Sequence, residues 1–203
     1  MLELAVNKST MKKFLILMLS VLVAELAISQ DEERTFKPFK VDVSLGYASP
    51  QGSGSKGGVL VAIEPKYALI DQFALGLRLE SAAMGRAALL SNDAYVISDV
   101  SANISYLITG DYYFNNNSFR PLLGGGFGFY SLAAITASSN AAEIYIPTST
   151  KFGFMLRTGF EVGHFRAGIE YNFIGKEGLL KNSYFGAKLG VVLGGGRYKI
   201  NAE

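Results

Sequence analysis

Strict alternation of apolar and polar residues is the sequence feature that most constrains this chain's fold. The clearest example is Thr158–Glu170, where every second residue is apolar on both sides of Gly163-His164. Successive side chains of a strand point to opposite faces, so the pattern predicts an antiparallel hairpin with one apolar and one charged face. The predicted pairs are Val162 with Phe165, Phe160 with Ala167, Glu161 with Arg166 and Arg157 with Glu170.

The same alternation recurs in eight runs, and the 14 Phe, 11 Tyr and 23 Gly favour strands over helices. The runs are Phe39–Tyr47, Val59–Tyr67, Phe73–Glu80, Ile97–Phe114, Phe119–Ser131, Lys151–Val162, Phe165–Phe173 and Tyr184–Leu193. The segment before them, Asp31–Lys40, is polar and is predicted to be a loose lead-in to the first strand.

Connections between the runs alternate between short and long. Short turns are predicted at Ile70–Gln72, Asn115–Ser118 and Gly163-His164, from residues common in hairpins. The other connections are long: Ala48–Gly58, Ser81–Val96, Leu132–Thr150 and Ile174–Ser183. Short turns on one rim and long loops on the other are typical of a transmembrane barrel. We therefore predict an all-β, eight-stranded, antiparallel up-and-down transmembrane β-barrel.

The N-terminus has the features of an export signal. Met11–Lys13 is a basic stretch, Phe14–Ala24 is apolar, and Ala27–Ser29 fits a small-x-small cleavage site. We expect residues 1–29 to be an extension and a cleavable signal peptide, and residues 30–203 to form the barrel domain. The alternative is a retained anchor helix, but the apolar stretch is short for a bilayer-spanning helix.

The polar faces of the runs carry balanced charge. Such balance suits a closed interior, because a buried charge is costly unless it is paired. We predict ion pairs inside the barrel among thirteen residues: Asp42, Glu64, Lys66, Arg78, Glu80, Asp111, Arg120, Lys151, Arg157, Glu161, Arg166, Glu170 and Lys188.

The apolar faces are then predicted to meet lipid. They carry aromatic residues near both ends, as expected for two interfacial girdles. The predicted girdles are Phe39, Tyr67, Phe73, Phe160 and Phe165 near the short turns, and Tyr47, Phe129, Phe152, Phe173 and Phe185 near the long loops. The competing fold is a soluble lipocalin-like barrel with the apolar face inside. The charged polar face argues against its dry ligand cavity.

With its signal, its eight alternating segments and a closing strand at Phe185–Leu193, the chain resembles small outer-membrane β-barrel proteins of the OmpX and OmpA-barrel type, a porin-like family. The resemblance implies a bacterial outer-membrane protein that contacts outer-membrane lipids and the outer-membrane assembly machinery. Many family members end on an aromatic residue, whereas this chain continues through Gly194–Gly196 to Tyr198 and Ile200. In such family members the assembly machinery reads the terminal aromatic residue, and Tyr198 or Ile200 is the candidate for that role here.

No motif predicts catalysis, a cofactor or a metal. His164, the single histidine, lies in a predicted turn at the rim opposite the long loops. Gly124–Gly128 resembles a phosphate loop but no Lys-Ser or Lys-Thr follows it. A net charge of +2 gives no reason to expect nucleic acid as a partner.

Three functions remain open at the level of sequence. The first is a non-enzymatic outer-membrane protein with a structural or surface-interaction role and an interior plugged by charged side chains. The second is a narrow channel for ions or small solutes, and the third is a lipid-modifying enzyme. The extracellular loops are the expected site for protein partners. In particular, Ala141–Ile146 within the Leu132–Thr150 connection alternates weakly, and two interpretations stay open for it: an edge for strand addition, or a flexible loop.

Overall fold

The computed structural model describes residues 34–51, 55–85, 87–89, 95–97, 101–132, 135–139, 142–146, 148–175 and 182–198. The predicted signal peptide and the cleavage site lie outside these ranges. No helix in the described ranges is long and apolar enough to cross a membrane.

The described ranges contain twelve strands, and eight of them close into one antiparallel barrel. The barrel strands are β1 Phe39–Pro50, β2 Gly58–Ile70, β3 Phe73–Met84, β6 Ser101–Tyr113, β7 Phe119–Leu132, β10 Ser149–Val162, β11 Phe165–Ile174 and β12 Tyr184–Gly194. Each pairs with its neighbours along the chain, and β1 closes the barrel against β12. The predicted eight-stranded up-and-down barrel is confirmed.

Four short strands lie outside the barrel sheet, within two of the long connections. They are β4 Ala87–Leu89, β5 Tyr95–Ile97, β8 Ile135–Ser139 and β9 Ala142–Ile146. The strands pair as two separate hairpins, β4 with β5 and β8 with β9. Ile97, predicted to begin the fourth barrel strand, thus belongs to β5, and the barrel strand itself begins at Ser101.

The hairpin from which the prediction started has the expected register. Val162 pairs with Phe165 and Glu161 with Arg166, and farther from the turn Arg157 pairs with Glu170. Gly163 in the two-residue turn has φ of 57°, a left-handed conformation that glycine adopts at little cost. We call the end of the barrel that carries this turn the short-turn end, and the opposite end the long-loop end.

The outer surface of the barrel is apolar. Large apolar side chains stand exposed on every barrel strand, for example Leu45 at 59%, Leu77 at 63% and Phe152 at 61%. Aromatic rings touch on this surface at both ends: Phe154 stacks on Phe173 at 4.4 Å, and Phe119 lies 5.3 Å from Phe160 between ring centroids. A continuous apolar exterior with aromatic residues at both ends is what a bilayer requires of a barrel. The barrel is therefore built to span a membrane, and its polar side chains point inward.

Candidate functional site: the barrel interior

The interior is where the sequence placed its candidate residues. All thirteen lie on described strands at inward-facing positions. Eleven are buried, Lys188 is nearly so, and Lys151 is half-buried near the long-loop end. Every buried carboxylate of this set has a cation as an ion-pair partner, so the inward face of the barrel is an extended network of salt bridges.

Asp111 of β6 is the centre of the network. One of its carboxylate oxygens accepts from Lys66 Nζ at 2.8 Å and from Arg166 Nη2 at 2.9 Å. The other oxygen accepts from Arg157 Nε at 2.7 Å. With a side chain only 1% exposed, Asp111 pairs with three cations from three other strands. A carboxylate shared in this way ties β2, β10 and β11 to β6 across the lumen.

Glu64 of β2 and Asp42 of β1 extend the set of ion pairs around Asp111, which we call the middle group. Both oxygens of Glu64 accept from the Arg157 guanidinium, at 2.7 and 2.8 Å, which is a bidentate pair. Thr109 Oγ1 donates to Glu64 Oε1 at 2.5 Å. Asp42 Oδ2 of β1 forms an ion pair with Arg166 Nε at 3.0 Å. The ion pairs of the middle group therefore have good hydrogen-bond geometry. Such geometry is the condition under which the attraction within a buried ion pair offsets the cost of its desolvation.

A second group closes the short-turn end of the lumen. Lys40 Nζ donates to both oxygens of Glu161, at 2.7 and 2.9 Å, and to the Tyr113 hydroxyl at 2.9 Å. Tyr113 in turn donates to Glu161 at 3.1 Å. Arg120 also pairs with Glu161, at 3.6 Å. The apolar side chains of Ala74 and Leu122 pack with Tyr113 beside this group.

A third group lies toward the long-loop end. Arg78 bonds to both Glu80 and Glu170. Lys188 Nζ lies 2.5 Å from Glu170 and 3.6 Å from Glu80. Tyr184 donates its hydroxyl to Glu80 at 2.6 Å. These contacts join β3, β11 and β12 across the lumen.

Apolar side chains, which the sequence analysis did not anticipate in the lumen, fill the rest of the long-loop end. The cluster consists of Ala48, Leu60, Ala82, Met84, Leu107, Tyr130, Leu132, Met155, Ile174 and Tyr184, each no more than 5% exposed. A cavity between the middle and third groups, lined by Asp42, Arg157, Arg166 and Lys188 among others, has a volume of about 20 Å³. That is room for one water molecule.

Two sequence-based expectations about this region differ from the structure. Lys40 was assigned to a loose segment, but it is 4% exposed and belongs to β1. Lys40 lies two residues before Asp42 and therefore faces the same side of the strand, so its inward orientation could have been predicted from the alternation. In addition, register neighbours are not the main ion partners: Arg166 lies 3.9 Å from Glu161 but 2.9 Å from Asp111. Arg157 likewise bonds Glu64 and Asp111, while Glu170 bonds Arg78 and Lys188.

Of the residues considered for chemistry, His164 lies apart from this network, whereas the glycine-rich stretch of β7 lies against it. His164 is in the β10–β11 turn, with its Nδ1 2.7 Å from the Val192 carbonyl oxygen. Gly124 and Gly126 face the lumen, where added Cβ atoms would meet Asp111 and Ile108 respectively. In the described part of the chain, no group of three or more acidic, cysteine or histidine side chains could hold a metal ion.

No protein-family model matches the sequence, and no curated protein matches it either. Among solved structures, Neisserial surface protein A (NspA) superposes with a TM-score of 0.53 at 21% identity, covering 78% of this chain and 98% of that one. The outer membrane protein OprG from Pseudomonas aeruginosa gives a TM-score of 0.53 at 10% identity, covering 81% of this chain and all of its own. By its closed eight-stranded sheet and its lipid-facing surface, the chain has the fold of the small outer-membrane β-barrel proteins.

Proposed function

We propose that this chain is a non-enzymatic integral outer-membrane protein with a structural or surface-interaction role and a closed lumen. The observation that carries this proposal is the filling of the interior. Three groups of ion pairs and two apolar clusters lie along it, around a cavity of about 20 Å³. We infer that side chains filling the lumen in this way leave no continuous path for hydrated ions.

The conductance of purified protein in planar bilayers tests the closed lumen. We expect no sustained openings from the wild-type protein. A matched variant, Glu64→Ala/Arg157→Ala, removes both partners of the bidentate pair and is expected to leak. Sustained openings from the wild type would reject the closed lumen and favour the narrow channel.

The two hairpins outside the barrel sheet support a role in protein contacts. The hairpins β4–β5 and β8–β9 are two-stranded, so among the described residues no third strand pairs with their edges. We propose the β8–β9 hairpin as an edge for strand addition by a protein partner. Loss of partner binding on replacing 135–146 by a Gly-Ser loop, with retention on replacing 87–97, would support this assignment. Equal binding by both variants would reject it.

Export and location have their own tests. We expect the mature protein to begin at Gln30, which N-terminal sequencing of the membrane-inserted form checks. Fractionation should recover the protein with the outer membrane, in contact with its lipids, and folded protein should migrate differently on gels before and after heating. Recovery as a soluble periplasmic protein would overturn the proposal. An altered lipid modification in a deletion strain would instead revive the lipid-modifying enzyme.

A further inference from the structure

The segment Thr35–Pro38 crosses the short-turn end of the barrel before β1 begins at Phe39. It lies outside the barrel strands and contacts the β2–β3 turn, Arg120 at the start of β7 and the C-terminal segment. Its last residue, Pro38, also accepts a hydrogen bond from the Ala68 amide of β2 at 2.8 Å.

Asp71 in the β2–β3 turn holds the segment through its backbone. Its Oδ2 accepts from the Thr35 amide at 2.8 Å, and its Oδ1 accepts from the Phe36 amide at 3.3 Å. The same carboxylate accepts from Asn116 Nδ2 at 3.4 Å, and the Asp71 carbonyl oxygen accepts from Arg120. One turn residue therefore connects the segment to both the β6–β7 turn and a cation of the lumen.

The Phe36 ring stacks on the cation that ends the lumen. The Arg120 guanidinium carbon lies 4.1 Å from the centroid of the Phe36 ring and 4.1 Å from that of Tyr113. Arg197 lies 5.4 Å from the same Phe36 ring. All three distances are within the range of cation–π attraction. The stack Phe36–Arg120–Tyr113 thus continues from the mouth into the group around Glu161.

The C-terminal segment Gly196–Tyr198 binds the Thr35–Pro38 segment on the side opposite Asp71. The Lys37 amide donates to the Gly196 carbonyl at 2.9 Å, and the Tyr198 amide donates to the Thr35 carbonyl at 3.0 Å. Arg197 donates through Nη2 to the Asn116 carbonyl at 2.7 Å. The segment is therefore held on both sides, by a turn and by the tail.

We propose that Thr35–Pro38 is a latch that covers the short-turn mouth and controls access of water and small solutes to the lumen from that side. Its contacts are few and lie at the surface, with Phe36 half-buried and Arg197 exposed. The barrel, by contrast, is held by eight strand pairings. Segments with few buried contacts open at a lower free energy than the core. The latch therefore opens while the barrel stays closed, and this property is separate from conductance.

A single cysteine reports on the latch, because the chain has no native cysteine. Ala74 faces the lumen beside Tyr113 and Leu122 and is 2% exposed, so Ala74→Cys adds one buried thiol near the mouth. The measurement is the rate at which a small water-soluble thiol reagent labels this cysteine in folded protein. The latch variant adds Phe36→Ala and Arg197→Ala, and the matched control adds Phe39→Ala and Lys56→Ala, an aromatic and a cation with exposed side chains outside the latch.

We expect the latch variant to be labelled about tenfold faster, which corresponds to 1.4 kcal/mol of lost closure. The control should be labelled at the rate of Ala74→Cys alone. Asp71→Ala is a second variant that releases the backbone of the segment without touching its ring, and it should also accelerate labelling. Gel mobility before and after heating identifies folded protein in each case. Unchanged labelling in both latch variants, or equal acceleration in the control, would overturn the latch, whereas openings from the wild type would bear only on the closed lumen.

Discussion

At the scale of single residues, Asp111 shows why the interior is sensitive to charge. Its carboxylate is the shared acceptor of Lys66, Arg157 and Arg166. Burying four charges is costly, and the cost is offset only while every partner is present. Removing the acceptor leaves three cations close together in a region of low polarity. The penalty should therefore exceed the value of any one hydrogen bond.

We predict that Asp111→Asn lowers the free energy of unfolding by about 3–5 kcal/mol. Urea denaturation of protein inserted in lipid vesicles measures the change. The double variant Asp111→Asn/Lys66→Met should lose less than the sum of the two single variants, because it removes a cation together with its acceptor. Additive losses would show that the two residues do not interact.

Two adjacent tyrosines give a matched pair for the hydrogen bonds of the network. The Tyr113 hydroxyl is buried with Lys40, Glu161 and Arg166 as partners, whereas Tyr112 faces outward and is 48% exposed. We predict that Tyr113→Phe costs about 1–3 kcal/mol, because it leaves buried charged groups short of a partner. Tyr112→Phe should cost less than about 0.5 kcal/mol. Equal effects in the same urea measurement would contradict the inward orientation of Tyr113.

At the scale of strands, the apolar–polar alternation predicts the features that depend on local geometry. It assigns a face to each residue and a register to each hairpin, and the register of Arg157 with Glu170 is correct. It does not assign partners across the lumen. The Arg157 guanidinium reaches Glu64 on β2, and this meeting depends on the tilt and stagger with which the barrel closes. Those are properties of all eight strands together.

The apolar side chains of the lumen escaped prediction for a related reason. Tyr130, Met155 and Tyr184 have the inward phase of their strands, but an inward phase does not say whether a side chain packs against charge or against other apolar groups. They pack together because the closed sheet brings side chains from β7, β10 and β12 to the same height in the lumen. Tyr130 and Tyr184 also use their hydroxyls, bonding Asn172 at 2.8 Å and Glu80 at 2.6 Å. A buried tyrosine usually finds such a partner.

Glycines on β7 provide a test at the level of a strand. A Cβ added at Gly128 would collide with the backbone carbonyl of Tyr106 on the neighbouring strand β6. At Gly125, three residues earlier, the nearest atom is 3.3 Å away. We predict that Gly128→Ala lowers the free energy of unfolding by at least about 1–3 kcal/mol, as overpacking does, and that Gly125→Ala has a smaller effect. Equal urea midpoints for the two variants would contradict this strand geometry.

At the scale of the whole molecule, the outer surface determines where the barrel is stable. Leu45 and Ser49 lie on the same face of β1, with Leu45 in the middle of the strand and Ser49 near the long-loop end. We predict that Leu45→Arg costs about 2–4 kcal/mol in a bilayer and Ser49→Arg about 0–1, because the cost of a lipid-facing charge falls toward the interface. Unfolding in vesicles measures both. Equal costs would mean that the outer face does not contact a hydrocarbon layer.

The pairing of β1 with β12 also determines the order in which the molecule can be assembled. Each hairpin joins residues close together in the chain, but this seam joins Lys40 to Gly194. Pairing over such a separation closes the longest loop in the molecule and is slow, because the loss of chain entropy precedes the gain in contacts. We therefore expect the seam to be the last part of the sheet to form during folding. In that order the charged side chains of the lumen stay on one face of an open sheet until the seam closes, and we expect closure of the seam and burial of the network to be a single kinetic event.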